Sequence, residues 1–509
     1  MAFSRVAGIL LHPTSLPGPG GIGTLGEYAR RFVDALERSG IGLWQVLPLG
    51  PTGYGDSPYS ALSAFAGNPF LIALEPLVER GWLQATELAR LPQSPSEAVD
   101  FGELVPAKMA VLRLAFDRFD VHQVGESYHH FLEENAGWLD DFCVYMAIKD
   151  AQGGEPWSRW SADLRSRDAA ALSAQRGDLA TEIDFHRFVQ FTFFEQWSAL
   201  KQYANQRNIQ IVGDIPIFVA HDSADVWANQ ALFQLDDRGL PIVVAGVPPD
   251  YFSPTGQLWG NPHYRWEVMA ANGYQWWIDR FRMCLRLVDM VRLDHFRGFA
   301  AAWAIPYGNP TAEWGEWTPS PGHALFYALE AALPSAAIIA EDLGVITPDV
   351  EQLRATFGFP GMKILQFAFG AGPSGAGLPH NYECNTVVYT GTHDNDTTAG
   401  WFTTIEPGEQ EFVLRYLAST GQDVVWDLIR LAFASVADLA IVPLQDVLRA
   451  GGPSRMNSPG QAEGNWSWRF VDGAISELDV MNLRALVETY GRLPAGAEQA
   501  ESDPAIGTS

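Results

Sequence analysis

An α/β barrel of eight parallel strands is the fold class this sequence predicts, and three observations predict it. Eight short apolar runs ending in Gly, Pro or a polar residue recur along the 509 residues, as strands buried on both faces do. Amphipathic segments of helical period lie between many of them. Acidic residues mark the ends of four of the runs, and a (β/α)8 barrel gathers strand ends on one face.

The first run, AGILLHP from Ala7, meets His and Pro at once and fits a buried strand better than a signal peptide. LWQVLP from Leu43 is the second strand, IQIVGDIPI from Ile209 the third and MVRLDHF from Met290 the fourth. AAIIAEDLG from Ala336, MKILQF from Met362, TVVYTGTHDN from Thr386 and LAIVPLQD from Leu439 complete the set. After the first strand, EYARRFVDALERSG places Ala29, Phe32, Val33 and Leu36 on one helical stripe, and Gly40 is placed to stop the helix. Similar spacing predicts helices over residues 185–206, 275–288, 424–434 and 480–490. Residues 367–385 are Gly/Pro-rich without helical period, so the sixth connection is expected to be irregular.

One catalytic barrel over residues 1–493 is expected to carry two insertions. The first, residues 49–208, is too long for a structureless loop. It predicts a mostly helical subdomain at the C-terminal face of the barrel, with helices including 109–119 and 131–149. The second, residues 219–266, follows the third strand. The tail 494–509, PAGAEQAESDPAIGTS, is expected to be disordered. Only 63 residues follow Asp446, so no β-rich C-terminal domain is expected.

Composition narrows the function. Lys and Arg number 33 against 60 Asp and Glu, a formal charge of −27, which repels phosphate backbones and anionic lipid. Nucleic-acid and membrane partners are therefore disfavoured. Hydrophobic content of 47% with 18% charged residues is globular, and no apolar run approaches a bilayer span. Cys143, Cys284 and Cys384 are too few and too scattered for a disulfide framework or a zinc cluster. The acidic residues lie singly on separate strands, so neither a metal nor a cofactor is expected. A soluble cytoplasmic protein is the expected class. The 18 Trp, 15 Tyr and 29 Phe suit either a bulky core or sugar-stacking platforms, and composition leaves both open.

Asp214 is placed at the end of the third strand, Asp294 the fourth, Glu341 the fifth and Asp394 the seventh. Carboxylates inside apolar runs are costly unless hydrogen-bonded or used. Four at strand ends point to a site. Arg292 shares a strand face with Asp294 by period-two alternation and would keep it ionised and oriented, as a nucleophile requires. Glu341 follows Ile338, Ile339 and Ala340, and desolvation there would raise its pKa toward general-acid use. Asp342 is expected on the other face, in a structural role. His393 could donate to a sugar hydroxyl. Two carboxylates with divided roles and a third for positioning are the apparatus of retaining glycosyl transfer.

Several long segments resemble the 4-α-glucanotransferases, the amylomaltases or disproportionating enzymes of the α-amylase barrel clan. They are GILLHPTSLPGPGGIG at Gly8, WQVLPLGPTGYGDSPY at Trp44, SAFAGNPF at Ser63, GDIPIFVAHDSADVW at Gly213 and GVPPDYFSPTGQLWGNPHY at Gly246. RLDHFRGF at Arg292, IAEDLG at Ile339, YTGTHDNDTTAGW at Tyr389 and RMNSPGQAEGNWSWR at Arg455 follow. The resemblance implies Asp294 as nucleophile, Glu341 as acid/base and Asp394 as the carboxylate that grips sugar hydroxyls in the transition state. It implies Asp214, Arg292, His295 and His393 as supporting residues, and Tyr54, Asp56, Ser57 and Tyr59 along donor subsites. Tyr251, Phe252, Trp259 and Asn261 would form a lid over the acceptor side, and Asn465 a further sugar contact.

The implied reaction is disproportionation of maltooligosaccharides, amylose or other α-1,4-glucans, with cyclisation as a variant and a monomer or small homo-oligomer as the working form. An α-amylase-type retaining hydrolase with the same carboxylates is the nearest alternative. A glucan-binding barrel without activity would have lost a carboxylate, and a Schiff-base barrel would need a better-placed lysine than Lys363. Phe101 stands where the resemblance implies a tyrosine, keeping a stacking face without the hydroxyl.

Overall fold

The computed structural model describes residues 3–92, 97–249, 253–461 and 463–497. Its twelve strands, in chain order, are β1 (Val6–Leu10), β2 (Leu43–Gln45), β3 (Gln210–Pro216), β4 (Val243–Val247), β5 (Gln257–Pro262) and β6 (Met290–Asp294). β7 (Ala301–Pro306), β8 (Glu316–Pro319), β9 (Ile338–Ala340), β10 (Gly361–Ile364), β11 (Thr386–Tyr389) and β12 (Leu439–Pro443) follow. Eight form one parallel sheet in the order β10-β11-β12-β1-β2-β3-β6-β9. At the seam the Ala340 N–H donates to the Pro360 carbonyl (3.0 Å), so the sheet is nearly closed into a barrel.

All eight barrel strands fall on the apolar runs named above. Their residues are almost wholly buried from both sides, which is why the runs show no alternation. Gly8 sits where strands approach closely: an added Cβ would lie 2.8 Å from the Leu43 Cβ.

Helix Glu27–Arg38 buries Ala29, Phe32, Val33 and Leu36, and Gly40 beyond it takes φ +69°. Helices Gln275–Leu287, Val424–Ala434 and Glu477–Thr489 match their predicted positions within a few residues. The sixth connection has 3-10 turns Leu365–Phe367 and Pro379–Asn381 but no α-helix.

Between β2 and β3 the chain forms helices Phe101–Phe116, Glu126–Glu134, Leu139–Ala151, Ala169–Asp178 and Ala180–Asn205, besides shorter helices and turns. The single helix expected over 131–149 is two, because the first ends at Asn135, whose side chain turns back to the Phe131 carbonyl (2.7 Å). Helix Ala180–Asn205 packs on Leu139–Ala151 and on Glu27–Arg38, and its buried residues join those of the barrel in one cluster.

A second sheet is the larger surprise. β4, β5, β7 and β8 form an antiparallel sheet in the order β5-β4-β7-β8. Part of the segment expected as a loop-like lid is thus strand, paired to residues just beyond Asp294. Its strands are short and Gly/Pro-rich, and their period-two signal is correspondingly weak. From residue 498 on, the predicted tail lies outside the described residues.

Candidate active site

Register places the first contacts. Asp214 on β3 stands directly beside Arg292 on β6, and Pro216 beside Asp294. Arg292 Nη1 donates to Asp214 Oδ2 (2.7 Å) and to Asp294 Oδ1 (2.9 Å). Tyr59, from the turn after β2, donates its hydroxyl to the same Asp214 Oδ2 (2.7 Å). The Asp214 side chain is fully buried, whereas that of Asp294 is 27% exposed. Only Asp294 can meet a ligand from outside.

Burial alone would lower the Arg292 pKa, but Asp214 and Asp294 raise it well above its ordinary value. Burial pushes the Asp214 carboxyl up and Arg292 pulls it down. Asp214 Oδ1 is buried and has no partner among the described residues. Asp214 also lines a cavity of about 70 Å³ with Gly213, Arg280 and Cys284.

Glu341 follows β9 directly. Its Oε2 accepts the His295 N–H (2.7 Å) and its Oε1 the Leu343 N–H (3.0 Å). Burial drives its carboxyl above the ordinary range; Arg292 opposes the rise, and Asp294 adds to it. A carboxyl so placed is shifted toward holding a proton, the direction a general acid requires. Asp342 is turned away: its Oδ1 accepts the Met362 N–H (2.7 Å) and Oδ2 pairs with Arg354 (3.1 Å). His295 adopts φ +50° to bring its N–H to Glu341. Burial lowers its pKa to about 4. Its ring meets the Trp259 indole edge-on, with centroids 4.8 Å apart.

Asp394 departs from its expected position. β11 ends at Tyr389, so Asp394 stands in the loop beyond the strand, not at its end. Sequence position gave the right face of the barrel but not the support. Asn457 Nδ2 donates to Asp394 Oδ1 (2.6 Å), Arg455 donates to the Asp394 carbonyl, and the Asn457 N–H donates to the His393 carbonyl (3.0 Å). Burial lowers the pKa of the His393 ring, with Asp394 opposing the shift. That ring stacks on Tyr59 (5.2 Å, 14°), and Trp466 lies against both. Asn457, Arg455 and Trp466 were not singled out from sequence, although all three lie in the RMNSPGQAEGNWSWR segment.

The remaining candidates divide. Ser57 uses its hydroxyl oxygen on the Tyr59 N–H (3.2 Å), and Asp56 is half-buried at φ +57°. Asn261 is half-buried on β5. Asn465 serves its own loop, accepting from the Ser458 N–H (2.9 Å) and donating to the Gln461 carbonyl (2.8 Å). Tyr251, Phe252 and the side chain of Tyr54 lie outside the described residues.

A parallel barrel that brings three carboxyls to one face, one on an arginine, one raised by burial and one held by an amide, has the groups that retaining glycosyl transfer uses. The comparisons with known proteins agree. The family described as 4-alpha-glucanotransferase matches residues 11–473. A 4-alpha-glucanotransferase from Thermus thermophilus is 51% identical over 97% of this chain and 100% of its own length. One from Synechocystis is 49% identical over 97% of this chain and 99% of its own. Among solved structures, an amylomaltase from Streptococcus agalactiae in complex with acarbose superposes with a TM-score of 0.93 at 38% identity, covering 96% of this chain and 99% of that one. This chain belongs to the 4-α-glucanotransferase family, and it is a glucan-transferring enzyme.

Proposed function

We propose that disproportionation of α-1,4-glucans runs here through Asp294 as nucleophile, Glu341 as acid/base and Asp394 as transition-state stabiliser. The observation that carries the assignment is the opposed treatment of two carboxyls. Arg292 binds Asp294 Oδ1 at 2.9 Å, while burial raises Glu341.

In the first half-reaction Asp294 attacks the anomeric carbon and Glu341 gives its proton to the departing 4-oxygen. A β-linked glucan ester forms on Asp294 as the α-1,4 bond breaks. In the second, Glu341 takes the proton of an acceptor 4-hydroxyl, and that oxygen displaces Asp294 with an α-1,4 bond restored. Asp394, held by Asn457, accepts hydrogen bonds from ring hydroxyls as the sugar flattens. His393 and Tyr59 supply a flat wall for the sugar. Charge develops where fixed groups already stand, so little reorganisation opposes it.

Transfer rather than hydrolysis requires that water be outcompeted at the ester. Trp259, beside His295, is the described residue best situated to cover it. Residues 49–208 and 219–266 act as the two insertions that build the walls of the cleft. The compartment is cytoplasmic, in keeping with three free thiols, one of them exposed.

Maltotriose alone, incubated with the purified protein, tests the function. Glucose and a ladder of longer maltooligosaccharides at nearly constant total reducing ends are expected. Rising reducing ends without longer products would replace transfer by hydrolysis.

A further inference from the structure

The four-stranded sheet has two unlike faces. Register pairs Val244 with Ile305 and Ala245 with Ala304 across β4 and β7, and alternation sends the two pairs to opposite sides. Ala245, Ala302 and Ala304 are buried, and Ala245 and Ala302 belong to the main core. Small side chains let that inner face lie close to the barrel. The outer face has a satellite cluster of its own, Val244, Ile305 and Ala312, with Trp303 packed against it. Its cover is the β7–β8 hairpin: Trp303 Nε1 donates to the Ala312 carbonyl (2.9 Å), and the Ala312 N–H to the Thr255 carbonyl (3.1 Å).

Around this cluster the protein displays aromatic surface. Trp314 is 74% exposed, Tyr307 52% and Trp317 37%. Of the 18 tryptophans only Trp259, Trp314 and Trp317 are exposed, and all three stand on this sheet or its hairpin. Apolar exposure concentrated in one place marks a binding surface.

The platform is continuous with the catalytic segments. The Arg297 guanidinium lies 3.9 Å from the centre of the Trp317 ring. The same guanidinium donates to the Val345 carbonyl (2.8 Å) and to Thr347 Oγ1 (3.0 Å). Arg297 follows Asp294 by three residues, and Val345 follows Glu341 by four.

We propose that the hairpin covering this sheet and the edge beside it, with Tyr307, Trp314 and Trp317 as stacking platforms, form a glucan-binding surface that takes glucose units of a long α-1,4 chain remote from the scissile bond. An indole or phenol ring complements the C–H face of a pyranose, and hydroxyls need polar neighbours. Asn309, Thr311, Glu313 and Glu316 supply them between the aromatic residues. A second copy of this chain is the poorer occupant. Glu313 and Glu316 are exposed beside the patch, and two chains of charge −27 repel. A neutral glucan is indifferent to that charge.

The proposal rests on the glucan reading of the active site, and the test separates the two. Trp314→Ala, and Trp314→Ala with Tyr307→Ala, are compared with the parent in KM for amylose relative to KM for maltotriose. The ratio is expected to rise roughly threefold to tenfold. Migration through an amylopectin-containing native gel, run with the Asp294→Asn background, reads binding without turnover, so it stands whether or not transfer occurs. Retardation by amylopectin should weaken in both platform variants, the cleft itself still holding glucan. An unchanged ratio together with unchanged retardation would overturn the proposal. So would sedimentation as a dimer that the substitutions convert to a monomer at an unchanged ratio, which would assign the face to self-association.

Discussion

The two ends of the barrel each bury an arginine, and they use it in opposite ways. At the C-terminal end Arg292 spends one nitrogen on two carboxylates, Asp214 and Asp294. At the other end Arg492, among the described residues, donates only to carbonyl oxygens. Its Nε donates to Phe433 (2.7 Å), its Nη1 to Val6 (3.3 Å) and Asp438 (3.1 Å), and its Nη2 to Ser435 (3.2 Å) and Ala437 (2.9 Å). Burial, with Arg5 nearby, lowers the pKa of Arg492 to about 9, whereas the carboxylates raise that of Arg292. The bottom cation closes backbone ends whose oxygens would otherwise be unsatisfied. The top cation holds the carboxylate we propose as nucleophile. Stability and chemistry are thereby housed at opposite faces of one sheet.

Neutralising each arginine in turn gives the sharpest contrast. Arg292→Met leaves Asp214 and Asp294 as neighbouring carboxyls without the cation that both of them bind, so nothing offsets their repulsion or fixes Asp294 in place. Turnover of maltotriose should fall by roughly 10²- to 10³-fold or more, with circular dichroism that of the parent. Full activity in this variant would break the comparison at its upper end. Arg492→Met should instead cost about 3 kcal/mol of stability through orphaned carbonyls. Its activity per folded molecule should stay within about twofold of the parent. Loss of activity without loss of stability would break the comparison at the lower end.

A smaller effect follows from Glu341. Its folded pKa is raised by burial, above an unfolded value of about 4.3. The folded state then binds more protons than the unfolded one between those two values, so stability falls as pH rises through that window. Glu341→Gln removes the liability. The variant should equal the parent in Tm near pH 4 and exceed it by about 1–3 °C at pH 8. A gain that is the same at both pH values would show that Glu341 ionisation does not strain the fold.

The sequence made the barrel legible because each strand is buried on both faces and reads as an unbroken apolar run. Asp294 and Glu341 were legible for the same reason, as charges that interrupt MVRLD and IIAED. The Arg292–Asp214 pair needed only register. Asn457 and Arg455 carry no such signal, since their partner Asp394 lies some sixty residues earlier and a loop alone brings them together. The four-stranded sheet escaped for a different reason. Its inner face is alanine and its outer face is covered by its own hairpin, so no alternation marks it. The short apolar runs VVAGV and AAWAIP have, among the described residues, no long amphipathic helix between them and the barrel strands that precede them to set them apart.

The central claim is that Asp294 becomes covalently loaded while Glu341 manages the protons. It is tested most directly by incubating the Glu341→Gln variant with an α-maltotriosyl fluoride, a donor whose leaving group needs no acid. The quenched protein is then digested for peptide mass spectrometry. A maltotriosyl increment on the peptide bearing Asp294, absent from Glu341→Gln/Asp294→Asn, is predicted. An increment on another residue, or an unloaded protein that still consumes the fluoride, would contradict the account.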